Sequence, residues 1–168
     1  MSQSKRVLVA VAVLLLLAGA VLGVDALRRR GSSAPATQVQ ATPVPGSIPI
    51  YVGGQLAGSF VPADLAKLEQ VSFVDAAEGK AQEGWLLRDV LLLYVQEDSL
   101  QPATRITVTS GSRGKSAQVT WVEVKEPANM VMFDLSNRGT LKLVSLLETL
   151  DTREEWVQDV DKIEIATP

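Results

Sequence analysis

The chain has 168 residues, with 16 Lys/Arg against 19 Asp/Glu and a formal net charge of −3, enough for one ordinary domain and an appendage. It contains no cysteine and no histidine. That excludes disulfides, thiolate nucleophiles, iron–sulfur clusters, Ser–His–Asp or Cys–His catalysis and histidine-held zinc.

The charge is unevenly divided. The first 30 residues carry five cations and one acid, net +4, whereas the rest carry 11 cations and 18 acids, net −7. A mildly acidic domain lacks the clustered cations that a phosphate backbone demands, so no nucleic-acid partner is expected.

Residues 1–6 form a short tail with Lys5 and Arg6. Residues 7–24, from Val7 to Val24, are 18 consecutive uncharged residues. As a helix they span roughly 27 Å, close to the hydrocarbon thickness of a bilayer. The segment has no polar face, which argues against a buried core helix. A cleaved signal sequence with Ala18-Gly19-Ala20 at its end is the other reading. Its length exceeds the usual apolar region of a signal peptide, so a transmembrane anchor is expected. Residues 25–47 open with Asp25 and Arg28-Arg29-Arg30 and continue as an uncharged Ser/Thr/Ala/Gln/Pro linker. That composition cannot bury enough apolar surface to offset its ordering entropy, and Pro35, Pro43 and Pro45 favour an extended form. Cations flank the apolar segment almost equally on both sides. The spacer therefore decides the orientation, and the following domain is placed on the extracytoplasmic side of the cell membrane.

Residues 48–168 read as a single α+β domain. Gly53-Gly54 between apolar runs predicts a hairpin of Ile48–Val52 with Gln55–Val61, because the favoured two-residue turns need positive φ. Pro62 suits a first helical position, giving a short helix over 62–68. Val71–Val74 reads as a strand and residues 75–84 as a polar loop. The run 85–95 is so apolar that it predicts a helix central to the core. Residues 104–109 alternate as a strand, turn through 110–116 and continue in an extended run over 117–124. A strand over 130–135 and a turn at 136–139 come next. Residues 140–150 begin as a strand and finish helical. Thr152 with Glu155 fits a capping box before Trp156, and 162–166 closes the sheet. Six or more short strands and two or three helices, without regular alternation, indicate α+β.

No catalytic constellation appears. Gly111-Ser112-Arg113-Gly114-Lys115-Ser116 invites a phosphate-loop reading, but strands flank it on both sides where a P-loop needs a helix. It is expected to be a hairpin turn that offers Arg113 and Lys115 to an anion. Asp75, Glu78 and Glu83 match no calcium-loop spacing and read as a solvated loop. Glu154, Glu155, Asp159 and Asp161 read as an exposed polar face. Arg138, beside Gly139, could present a guanidinium to an anion or stand as a surface turn residue.

Three stretches carry a family resemblance. Gly84-Trp85-Leu86-Leu87-Arg88-Asp89-Val90-Leu91 resembles the helix start of the sulfite-oxidase-type molybdopterin-binding domain. Arg138-Gly139-Thr140-Leu141-Lys142-Leu143-Val144 is similar to a strand of that family, and Trp156 to Ile165 to its closing segment. The resemblance implies a multi-layer, β-rich α+β fold with molybdopterin in a groove. In the enzymes a cysteine thiolate ligates molybdenum just after an early strand; here Asp75 stands near that place, and Gln158 stands where a phosphate-facing lysine would be. The cofactor-binding candidates are Arg138, Asp75, Arg113 and Lys115, with no metal ligands and no catalytic residues. The expectation is a membrane-tethered binding module whose partner is a protein or a small ligand, with oxidoreductase activity left open should a cofactor be bound. It would lack molybdenum chemistry, with molybdopterin as the cofactor to test for. A molybdopterin-binding redox or electron-transfer component, and a structural subunit of a membrane assembly, are the alternatives.

Overall fold

Residues 43–76 and 79–166 are described in a computed structural model of the chain. The expected membrane segment 7–24, the linker up to residue 42 and Glu78 lie outside them. Among the described residues, no helix is long and apolar enough to cross a membrane.

The architecture is α+β, two five-stranded sheets with few helices. The first sheet holds β1 (Ile48–Val52), β2 (Gln55–Phe60), β5 (Arg105–Ser110), β6 (Lys115–Thr120) and β10 (Lys162–Ile165), in the order β2-β1-β10-β5-β6. β1 runs parallel to β10, with Ile50 opposite Ile163, so the first and last strands of the domain lie side by side. The second sheet holds β3 (Val71–Val74), β4 (Ala81–Leu86), β7 (Met132–Leu135), β8 (Leu141–Val144) and β9 (Val157–Gln158), in that spatial order and antiparallel throughout. Helix α1 (Leu87–Leu92) follows β4, and α2 (Trp121–Lys125) follows β6.

The local chemistry explains the pieces. Gly53 and Gly54 take φ of 56° and 79°, as the predicted two-residue turn requires. Pro62 starts a 3-10 helix, Pro62–Lys67, whose Asp64 accepts from the Val61 N–H at 2.9 Å. In β5, Ile106 and Val108 are buried while Arg105 is exposed, the alternation of a half-buried strand. Phe60 from the first sheet lies 6.3 Å from Phe133 in the second, ring centre to ring centre. Leu65, Leu87, Leu91, Leu141 and Ile163 are buried around them. Each such side chain contributes about 1.5–3 kcal/mol by leaving water.

Several expectations need correction. The polar loop is short, because Ala81–Leu86 is strand β4. Trp85 and Leu86 pair with Phe133 and Met132 instead of opening the helix. The helix is thus six residues, beginning at Leu87, with Leu87, Val90 and Leu91 buried. Gly84 permits the β4–β7 pairing: a Cβ there would fall 1.7 Å from the Phe133 carbonyl oxygen, so the strands can approach this closely only at glycine. Residues 117–124 do not stay extended. Thr120 and Glu123 form a capping box, with the Thr120 N–H and hydroxyl each donating to Glu123 Oε2 at 2.7 Å, and start α2. After β8 the chain makes turns, one closed by Leu150 N–H to Leu147 O at 2.7 Å, rather than a helix. Thr152 N–H does donate to Glu155 Oε2 at 3.2 Å, but the pair closes a turn before β9.

Candidate binding cleft

Because side chains alternate across a strand, residues paired across neighbouring strands share a face. Gly84, Asp134, Lys142 and Gln158 are successive cross-strand partners on β4, β7, β8 and β9. Gln82 and Trp156, two residues before Gly84 and Gln158, belong to the same face. This face floors a cleft of about 420 Å³. Lys80 and Ala81 bound it at one side, the turn residues Ser136 and Asn137 at another, and Arg153, Trp156 and Gln158 form a wall.

Lys142 is the centre of the floor. Its Nζ donates to Gln82 Oε1 at 2.7 Å, lies 3.0 Å from Asp134 Oδ2 and sits 5.0 Å from the centre of the Trp156 ring. Gln82 is buried, and Asp134 is only 13% exposed. The ammonium therefore has a carboxylate, an amide oxygen and an aromatic face as partners, which offsets its desolvation. The Trp156 indole N–H is buried without an acceptor among the described residues, as is that of Trp85 in the core. Among the described residues, three cations, Lys80, Lys142 and Arg153, and one carboxylate, Asp134, line the cleft. The described lining thus holds more cations than carboxylates, in a domain that is acidic overall.

At the edge of the cleft, Asp159 gathers two of the sequence-predicted residues. Arg113 Nε donates to Asp159 Oδ2 at 2.7 Å; Arg138 Nη2 donates to Oδ1 at 2.9 Å and Oδ2 at 3.2 Å; the Thr140 hydroxyl donates to Oδ1 at 2.7 Å. The Thr140 hydroxyl bond, then the Arg113 hydrogen bond, hold the Asp159 carboxyl below its ordinary value against burial, and the charges of Arg113 and Arg138 act in the same direction. Asp159 has φ of 56°, a left-handed conformation that aspartate tolerates better than most residues. Lys115 Nζ donates to the Glu154 carbonyl in the same region.

The expectations divide accordingly. Arg113, Lys115 and Arg138 converge on one corner; the predicted hairpin turn is residues 111–114, and Lys115 and Ser116 already belong to β6. Arg138 and Arg113 engage an internal carboxylate there. Asp159 is the hub of that corner rather than part of an exposed polar face. Asp75 also departs from the solvated-loop reading. It is buried in the β3–β4 turn, where its N–H donates to Lys80 O and its carbonyl accepts from Gly79. Lys142, Asp134, Gln82 and Trp156 are cleft residues that the sequence reading misses. Their signal is a charged residue set into each of two apolar strands, Asp134 and Lys142, that become cross-strand partners.

No protein-family model matches the chain, and no curated protein matches it. The donor chemistry bears on the implied cofactor directly. A thiolate-held molybdenum needs a cysteine that this sequence does not possess, and the side chain nearest that place, Asp75, is enclosed by its own turn. The residues do not fit that centre.

A larger hollow, about 580 Å³, lies beside α2 against Leu100, Pro102, Trp121 and Val122, with a Lys125–Glu97 ion pair of 2.5 Å among the residues around it. Its wall is mainly apolar, and its cation, Lys125, is already paired with Glu97. The smaller polar cleft is the better candidate, since orientation and specificity come from polar groups.

Proposed function

We propose that the chain is a membrane-tethered, extracytoplasmic binding module with a reduced sulfite-oxidase-type molybdopterin-binding fold. It does no molybdenum chemistry. The 7–24 segment anchors it and the linker lifts the domain from the bilayer. Its cleft takes a small ligand bearing phosphate or carboxylate groups, with Lys142 central and Lys80 and Arg153 flanking it. One observation carries this reading: a cleft centred on a lysine over a tryptophan, whose described lining holds more cations than carboxylates in a domain of negative overall charge. The two-sheet α+β architecture and the position of Lys142 on the strand resembling the family's support the fold assignment.

The test uses the full chain extracted in mild detergent. Metal analysis and pterin fluorescence are expected to find neither group in stoichiometric amount, and calorimetric titration with pyrophosphate is expected to show saturable binding that Lys142→Met abolishes. Stoichiometric molybdenum or pterin would instead favour a redox component. Absence of pyrophosphate binding, or its persistence in Lys142→Met, would remove the anion reading.

A further inference from the structure

The cleft has two walls that are not continuous in the chain. One is the β7–β8 turn, through Ser136 and Asn137; the other is the segment that carries Arg153, Trp156 and Gln158. Arg138 immediately follows the first wall and Asp159 immediately follows the second. Their ion pair therefore joins the two walls across one end of the cleft. Arg113, from the tip of the β5–β6 hairpin in the other sheet, closes on the same carboxylate. The second wall has little regular structure of its own: turns lead into a two-residue strand paired to β8. Lys115 on the Glu154 carbonyl and the Gly111 N–H on Asp161 Oδ2, at 2.7 Å, fasten it to the same hairpin tip.

We propose that Asp159 is the positioning residue of the cleft, a clasp that sets the separation of its walls and the placement of Trp156 over Lys142. The inference rests on the reading of the cleft as the binding site. Asp159 touches no ligand in this scheme; it acts through the wall. Releasing the carboxylate from its two arginines lets the turn segment that carries Arg153 and Trp156 shift against the Ser136–Asn137 turn, while the pairing of β9 with β8 holds the end of the wall in the sheet. Arg113 and Arg138 are both substantially exposed, at 43% and 60% of their side-chain surface. The clasp is thus open to competition by solvent ions at the surface.

The experiment is 19F NMR of the full chain in detergent micelles, labelled with 5-fluorotryptophan. The protein has three tryptophans, all buried; Trp156 alone lines the cleft, and Trp156→Phe assigns its resonance. Asp159→Asn keeps a residue that tolerates left-handed φ and removes the charge. The expected result is a shift of the Trp156 resonance by more than its linewidth, with Trp85 and Trp121 unmoved. An unmoved Trp156 resonance overturns the proposal. If all three resonances move in Asp159→Asn, Arg138→Gln decides: movement of Trp156 alone upholds the clasp, and any other pattern overturns it. No ligand is needed for this readout. A wild type that fails to bind pyrophosphate therefore sinks the cleft reading while leaving the clasp to be judged separately.

Discussion

Arg138 and Asp159 meet across the end of the cleft through Nη2 contacts of 2.9 and 3.2 Å to the two carboxylate oxygens, although 21 residues of chain separate them. Asp159 carries the energetic consequence. Its carboxyl is held below the ordinary aspartate value, first by the Thr140 hydroxyl and then by Arg113. A depressed folded value means that the stabilisation is complete above the unfolded value near 3.9 and is lost as pH falls through the folded value.

The pH dependence of thermal unfolding follows from this sign. Above pH 4 the wild type is expected to melt higher than Asp159→Asn, by about 1 kcal/mol of stability because both arginines are exposed and screened. The gap is expected to close as the pH falls further. Glu155, held low chiefly by the Thr152 hydroxyl, titrates in both proteins, so the difference between the two curves isolates Asp159. A constant gap from pH 7 to pH 2 would contradict the assignment.

Lys142 is expected to matter for stability as well as binding. Lys142→Met keeps a long apolar stem but leaves the Asp134 carboxylate and the buried Gln82 amide without the ammonium between them. The expected cost is about 2 kcal/mol, since losing one partner of a half-buried pair exposes the desolvation penalty of the other. Pairing this change with Asp134→Asn should recover part of the loss, which denaturant unfolding of the single and double variants measures.

Local patterns legible in the sequence became the elements that depend on local chemistry. The Gly53-Gly54 hairpin, the Pro62 helix and the turn over 111–114 all needed only their own residues. The errors came where tertiary pairing overrode composition. The apolar run after Gly84 reads as helical, but β7 claims Trp85 and Leu86, and the helix keeps only Leu87 to Leu92. Arg113 and Arg138 were legible as cations at turns. Their shared carboxylate was not, because Asp159 meets them only through the arrangement of three loops. The row Gly84–Asp134–Lys142–Gln158 was hidden for the same reason, since strand order and register decide which polar residues become neighbours.

The cap of α2 offers a small, clean measurement. Thr120→Ala removes the hydroxyl that donates to Glu123 Oε2 at 2.7 Å but leaves the backbone N–H contact to the same oxygen. A loss of about 1 kcal/mol is expected, with no change at the cleft. Pyrophosphate titration of the variant should match the wild type.

Gly84 gives the most severe outcome. Its missing Cβ would sit 1.7 Å from the Phe133 carbonyl oxygen and 2.7 Å from the Phe133 carbonyl carbon, so the obstruction is backbone and cannot rotate away. Gly84→Ala must push β4 from β7 at the pairing of Gly84 with Asp134. That displaces Trp85 and Leu86 from the core and carries Asp134 away from Lys142. A loss of more than about 3 kcal/mol is expected, beyond ordinary overpacking of a side chain. It should appear as poor folding or a large drop in melting temperature, together with loss of pyrophosphate binding. Gly54→Ala is the control. That turn glycine also has positive φ, but a Cβ there has nothing within 4 Å, so only local strain of about 1–2 kcal/mol is added. Comparable losses from the two substitutions would mean that the close approach of β4 and β7 does not set the fold at this point.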